Sequence, residues 1–175
     1  MRGTTNQTGE WVQYIRIEME LLDASGQPLV TEWVYAKPEL VPPGATAVFS
    51  FIRSLSEING TYASYRITDI SAIPSADNGQ RAIVENPSQS ELDIYVTLTG
   101  ELKSVGRVPC LNPHVIAASY NAEGKLDNVT SHYLLSAVGF QGELAVGQSE
   151  EFEFVATKHD AAPAGAVKVW GGCEE

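Results

Sequence analysis

Basic residues are scarce in this chain, cysteine is nearly absent, and long apolar runs are missing. Each shortage excludes something. Eleven Lys and Arg stand against 22 Asp and Glu, giving a net charge of −11 and a pI near 4.6. Nucleic acid or an anionic lipid surface would be repelled by that balance, and no basic run opposes it. No apolar stretch reaches the roughly 18–20 residues of a membrane-spanning helix, so no membrane insertion by this segment is expected. The opening residues Met1 to Thr8 are polar and lack the apolar region of a signal peptide. The chain therefore reads as a mature protein or an excised piece of one, with any signal peptide outside it.

The motifs of catalysis are missing too. There is no Gly-x-Ser-x-Gly, no convincing Cys–His neighbourhood and no glycine-rich phosphate loop. The three histidines, His114, His132 and His159, fit no zinc-ligand spacing. Asp77-Asn78-Gly79 reads as a turn rather than a calcium loop. Carboxylates pair at Glu18/Glu20 and Glu150/Glu151, but Glu18 and Glu20 fall on the solvent face of a strand, not in a cleft. The sequence points away from an enzyme, and no cofactor or metal is expected.

What the chain does contain, it contains twice. Met19-Glu20-Leu21-Leu22-Asp23-Ala24-Ser25-Gly26-Gln27 is echoed by Ala117-Ala118-Ser119-Tyr120-Asn121-Ala122-Glu123-Gly124-Lys125. Each is an alternating strand running into an Asx-capped turn whose Gly supplies the positive φ. Pro43-Gly44 followed by Phe49-Ser50-Phe51 is likewise answered by Val146-Gly147 and Phe152-Glu153-Phe154. The offset is 98 at the first Gly and 103 at the second, so five extra residues lie between, around Gly139-Phe140-Gln141-Gly142. A period near 100 suits tandem domains rather than a solenoid. Phe49, Phe51, Phe152 and Phe154 become equivalent core positions.

Alternation assigns strands to 11–22, with Ile15, Ile17, Met19 and Leu21 facing in, and to 29–35, 47–53 and 62–69. The second copy has strands near 94–103, 112–121, 130–138, 149–157 and 165–171. Between the copies, Pro74, Asp77-Asn78-Gly79 and Asn86-Pro87-Ser88 suggest a linker. The expected domains are 1–72, a linker 73–92, and 93–175. Counted back by the offset, the first copy lacks its opening strand. Its exposed edge would be filled by Arg81–Glu85 or by residues upstream of Met1.

These residues support a family resemblance. Met19-x-Leu-Leu-Asp-x-x-Gly, the following Pro-Gly and the Phe-x-Phe resemble the FxLYD-type domains of bacterial and archaeal secreted and envelope proteins. Thr99-Gly100-Glu101-Leu102-Lys103 is similar to that family's opening strand. The first copy has Met19 and Leu22 where the motif has Phe and Tyr, and the second keeps Tyr120 with Asn121 for Asp. The resemblance implies an immunoglobulin-like β-sandwich outside the cytoplasm and carries over no catalytic residue.

The expectation is thus an all-β chain of two tandem immunoglobulin-like β-sandwich domains, secreted, periplasmic or on the cell surface. It would be a non-catalytic module for protein contacts or structural spacing, with carbohydrate binding as the alternative. Its partner would be a protein or a cell-surface glycan. Trp33 and Tyr35 share a side of one strand and could form a platform for a sugar ring; filling the core of a small domain is the commoner role for such rings. Sequons occur at Asn6, Asn59 and Asn128. Cys110 precedes the second strand of its copy and Cys173 follows the fifth. With strands alternating in direction, both fall at one end of the sandwich, so a disulfide between them is expected.

Overall fold

A computed structural model describes residues 2–51, 58–124, 126–134, 142–157 and 166–174. Among these residues the protein is all-β, without a helix. The strands are β1 (Arg2–Thr5), β2 (Trp11–Leu22), β3 (Pro28–Tyr35), β4 (Leu40–Val41), β5 (Thr46–Phe49), β6 (Ser64–Ser75), β7 (Ala82–Leu92), β8 (Tyr95–Ser104), β9 (Cys110–Leu111), β10 (His114–Tyr120), β11 (Leu126–Tyr133), β12 (Glu143–Leu144), β13 (Ser149–Thr157) and β14 (Ala166–Gly172). The chain divides into two compact units, Gly3–Ala76 and Asp77–Glu175, the latter with Met1–Arg2.

In the unit Gly3–Ala76, β2 is the central strand. β3 and β4 pair antiparallel with it, as does β6, while β1 pairs β5 in a second sheet. The core joins Val12, Ile15, Ile17 and Met19 of β2 to Ala36, Val41, Ala47 and Phe49. Val12 and Ile15 are three residues apart, which strict alternation would put on opposite faces. Tyr14 resolves this. Its φ of +50° takes up one residue as a bulge, with the β2–β6 register shifting between Gln13 and Arg16.

In the unit Asp77–Glu175, two three-stranded sheets, β13-β8-β7 and β11-β10-β14, pack on a shared core. Val96, Leu98 and Leu102 of β8 and Phe152, Phe154 and Ala156 of β13 meet Val115 and Ala117 of β10, with Val167 and Val169 of β14 against them. Phe152 and Phe154 are buried, as is Phe49, while Phe51 is partly buried.

The backbone bonds recur from unit to unit at the two sequence offsets. Asn6 accepts from Gly44 N and donates to Ala45 O, both at 2.9 Å; Ser104 accepts from Gly147 N at 2.8 Å and donates to Gln148 O at 3.0 Å. Ala36 N donates to Ile15 O as Leu134 N does to Pro113 O, each at 2.9 Å. Val12 pairs Val41 in β2–β4, and Cys110 pairs Leu144 in β9–β12. The bulge is matched as well: Asn112, 98 positions after Tyr14, has φ +43°.

Several expectations need correction. Residues 73–92 are not a linker. β6 continues to Ser75, and Ala82–Leu92 is a full strand paired along β8. Asn86-Pro87-Ser88, which looks like loop punctuation, is a bulge inside β7: Asn86 has φ +50° and the register shifts between Glu85 and Ser88. A proline lacking a ladder donor is tolerated there. It follows that Arg81–Glu85 does not fill the edge of the first unit, since Ala82 to Glu85 lie opposite Ser104 to Glu101. Nor is the opening strand of that unit wholly missing. β1 holds its end, with Thr5 Oγ1 3.1 Å from Thr46 Oγ1, where Lys103 is opposite Ser149 in the other unit. The five extra residues around 139–142 and the expected strand ends at 50–53 and 134–138 fall mostly outside the described residues.

Candidate functional site

Trp33 and Tyr35 are not core residues. β3 alternates with Val30, Glu32 and Val34 towards the core side, leaving Thr31, Trp33 and Tyr35 on the opposite face. There Trp33 is 51% and Tyr35 43% exposed. The core in this unit is filled instead by aliphatic residues and Phe49, so the rings are not needed to complete it.

The structure adds two residues to the pair. Tyr14, 39% exposed, meets Tyr35 edge-on with ring centroids 6.1 Å apart, and Tyr35 meets Trp33 edge-on at 5.2 Å. The Arg16 guanidinium lies 5.4 Å from the Trp33 ring centre, a cation–π contact. Glu18 holds Arg16 there, accepting from its Nη2 at 3.1 Å. The ladder explains the cluster, because Arg16 is directly opposite Tyr35 and Glu18 opposite Trp33 on one face. Glu20, next in the row, is opposite Thr31 and accepts from Arg66 of β6. Glu18 and Glu20 are thus ion-paired surface carboxylates.

Strict alternation from Ile15 already places Tyr14 on the outward face with Arg16; what it does not show is the bulge at Tyr14, which turns Val12 inward. A weak signal existed: Asn112-Pro113 lies 98 positions on from Tyr14-Ile15, and Asn is the residue type that favours the left-handed region. A bulky side chain at φ +50° costs about 1–2 kcal/mol relative to an extended backbone. Strain held at an exposed position is a pointer to function.

On the other unit, Glu85, Glu101 and Glu151 lie directly opposite one another across β7, β8 and β13. Lys103 Nζ reaches Glu85 at 3.2 Å. Glu101 and Glu151 border a shallow depression of about 530 Å3 that also includes Asn86, Phe152 and Glu153. Of the histidines, His114 is buried with Nδ1 3.0 Å from Asn112 O, and His132 stacks flat on Phe154 with centroids 5.1 Å apart. His159 lies outside the described residues. Among the described residues no group of three His, Cys, Asp or Glu is placed to hold a metal ion. Among the described residues no helix is long and apolar enough to cross a membrane.

Cys110 and Cys173 are joined as a disulfide, with Cα atoms 5.3 Å apart, at the edge of the core of their unit. The sequons separate cleanly. Asn6 Nδ2 donates to Glu10 O and Val41 O, at 2.7 and 3.0 Å, and Asn128 Nδ2 donates to Thr157 O at 2.8 Å; both residues are buried. Asn59 is exposed in a bend. The turn carboxylate Asp23 accepts from Ser25 Oγ at 2.6 Å and from the Ser25 and Gln27 amides. The Ser25 hydroxyl and then the Gln27 amide hold its pKa below the usual value of 3.8.

No known protein family, curated protein or solved structure matches this chain.

Proposed function

We propose that the chain is a non-catalytic pair of immunoglobulin-like β-sandwich domains, related to one another by duplication and akin to FxLYD-type domains. Its place is outside the cytoplasm, and it acts by contacting another protein through the face formed by Tyr14, Arg16, Trp33 and Tyr35. The duplication is supported by backbone bonds that recur at matching positions. The extracytoplasmic reading is supported by the disulfide, since such bonds persist in oxidising compartments.

One observation carries the contact face: Tyr14 is kept in a strained, exposed conformation where the other unit has Asn112. Aromatics with arginine are also the side chains that dominate protein–protein hot spots. Carbohydrate binding is the second reading, supported by the same exposed rings. It is less favoured because the rings meet at 63° and 68° rather than forming a flat platform, and Arg16 lies over Trp33.

Panning a displayed peptide library against the wild-type chain, with counter-selection on Trp33→Ala, tests the first reading. Binders that require Trp33 are the expected result. A glycan array on which the wild type binds and Trp33→Ala does not would replace it with the second. Silence in both assays would remove the face from consideration.

A further inference from the structure

The two units differ at one edge. In Asp77–Glu175, β8 is flanked by β13 on one side and by β7 on the other. Ala82 and Val84 of β7 pack onto the core. β7 lies so near β14 that a Cβ on Gly171 would be 2.7 Å from the Ala82 carbonyl. In Gly3–Ala76, β1 takes the place of β8 beside β5, and among the described residues no strand flanks its other edge.

At that edge a groove of about 260 Å3 opens, lined by the apolar Val12, Ile15, Ile70, Ala72 and Pro74 together with polar residues of 4–10 and Ser71. Its walls match the seat of β7. Thr4 lies 98 positions before Leu102, which is opposite Val84. Ile70 is the ladder partner of Ile17, as Gly171 is of Val115, 98 positions on. Ile17 is fully buried, yet Ile70 on the same face is 50% exposed. The backbone is also set for pairing. Asn6 directs both its N–H and its C=O to the β5 side, so alternation turns those of Thr5 to the open edge, as Lys103 faces Ile83 in the other unit.

We infer that this groove is a strand-acceptor slot. It takes an extended segment of a partner protein, antiparallel to β1, with Ala- or Val-sized residues at alternate positions facing inward. β7 is the precedent for that chemistry, since Ala82 and Val84 fill the matching place. Ile70 stands where the other unit has glycine, so the incoming strand rides further out there and covers its exposed side chain. A second copy of this chain is a poor donor through β3 or β13, whose apolar rows already turn inward: Val34 of β3 and Phe152 and Phe154 of β13 all pack in their own cores. Main-chain pairing supplies affinity in such augmentation and side-chain pockets supply selectivity. The net charge of −11 favours a neutral or basic segment.

The probe is a fluorescein-labelled peptide with the sequence of residues 79–92 and blocked ends, titrated with the full chain and read by anisotropy. Saturable binding is expected. Thr5→Pro deletes an N–H that points to the open edge and leaves the main-chain bonds to β5 in place, losing only the exposed Thr5–Thr46 hydroxyl contact, so it should weaken binding by about tenfold or more without moving the thermal midpoint by more than a few degrees. Ile70→Glu, at a half-exposed position, should weaken it comparably. A peptide carrying Ala82→Asp and Val84→Asp should not bind.

Absence of binding at about 1 mM peptide would overturn the assignment. So would equal binding by wild type, Thr5→Pro and Ile70→Glu, which would mean that the peptide exchanges with β7. A dimer that Thr5→Pro converts to monomer would overturn it in favour of a second copy as the occupant.

Discussion

Breaking the Cys110–Cys173 bond should destabilise one unit and leave the other untouched. The bond closes 63 positions of sequence, most of its unit. In the chain-entropy description a loop of that length restricts the unfolded state by about 4 kcal/mol. A domain of this size is stable by roughly 5–15 kcal/mol in total, so reduction should remove a quarter or more of its stability. The expected fall in thermal midpoint is about 16–30 °C. Cys110 is fully buried, so reductant must be applied during unfolding or replaced by a Cys110→Ala/Cys173→Ala variant. Trp170, opposite Ile116 in the β10–β14 ladder, reports on this unit by fluorescence. Trp11 and Trp33 belong to the other unit and can be changed to Phe to silence it. That other unit has no cysteine, with Val12 at the position matching Cys110, and serves as the internal control. Equal urea midpoints with and without reductant would refute the entropic account. Two alkylatable thiols in unreduced protein exported to an oxidising compartment would refute the bond itself and weaken the extracytoplasmic proposal.

Other outcomes follow from single positions. Phe152→Ala and Phe154→Ala should each cost about 3–5 kcal/mol in urea unfolding, whereas Trp33→Ala, at a half-exposed site, should cost under about 1 kcal/mol. Tyr14→Asn should raise stability by about 1 kcal/mol by relieving a left-handed bulky residue, and should weaken any ligand that depends on the aromatic face. In a host that N-glycosylates, the mass added to the chain should vanish with Asn59→Gln and persist with Asn6→Gln or Asn128→Gln. The Asp23 carboxylate is held below its usual pKa of 3.8 by the bonds it accepts. Its contribution is therefore present above that pH and is lost as pH falls through the folded value; Asp23→Asn should flatten the acid limb of a stability–pH curve.

Much of the fold was legible because its determinants are local. Asp23 and Asn121 with their turn glycines, and the Phe-x-Phe pairs that follow Gly44 and Gly147, are short patterns that keep their spacing to the strands they end or begin. The cysteine pairing could be reasoned from strand parity alone. What failed depended on bulges. Asn86-Pro87 breaks the alternation of β7, so a strand looked like a linker, and Tyr14 breaks the alternation of β2, so the inward turn of Val12 went unseen. The placement of Trp33 and Tyr35 failed for a different reason. Alternation identifies two faces of a strand but not which one is covered, and here the face bearing Val34 packs inward while the larger rings meet solvent.

The shift from one offset to the other has a practical consequence. The hydrogen bond from Leu134 to Pro113 and that from Asn112 to Gly142 are the counterparts of Ala36 to Ile15 and Tyr14 to Glu39. Five more residues lie between the flanks in one unit than in the other, yet both flanking bonds are kept. Chain length at this connection is therefore uncoupled from the packing on either side. The connection at Pro38, between the bonded residues Lys37 and Glu39, is a natural splice point where an epitope, a protease site or a selected recognition loop can be grafted. Lengthening a surface loop costs only tenths of a kcal/mol to about 1 kcal/mol in closure entropy. The first unit is thereby a scaffold that can be diversified at one connection while its β2-centred sheet stays as it is.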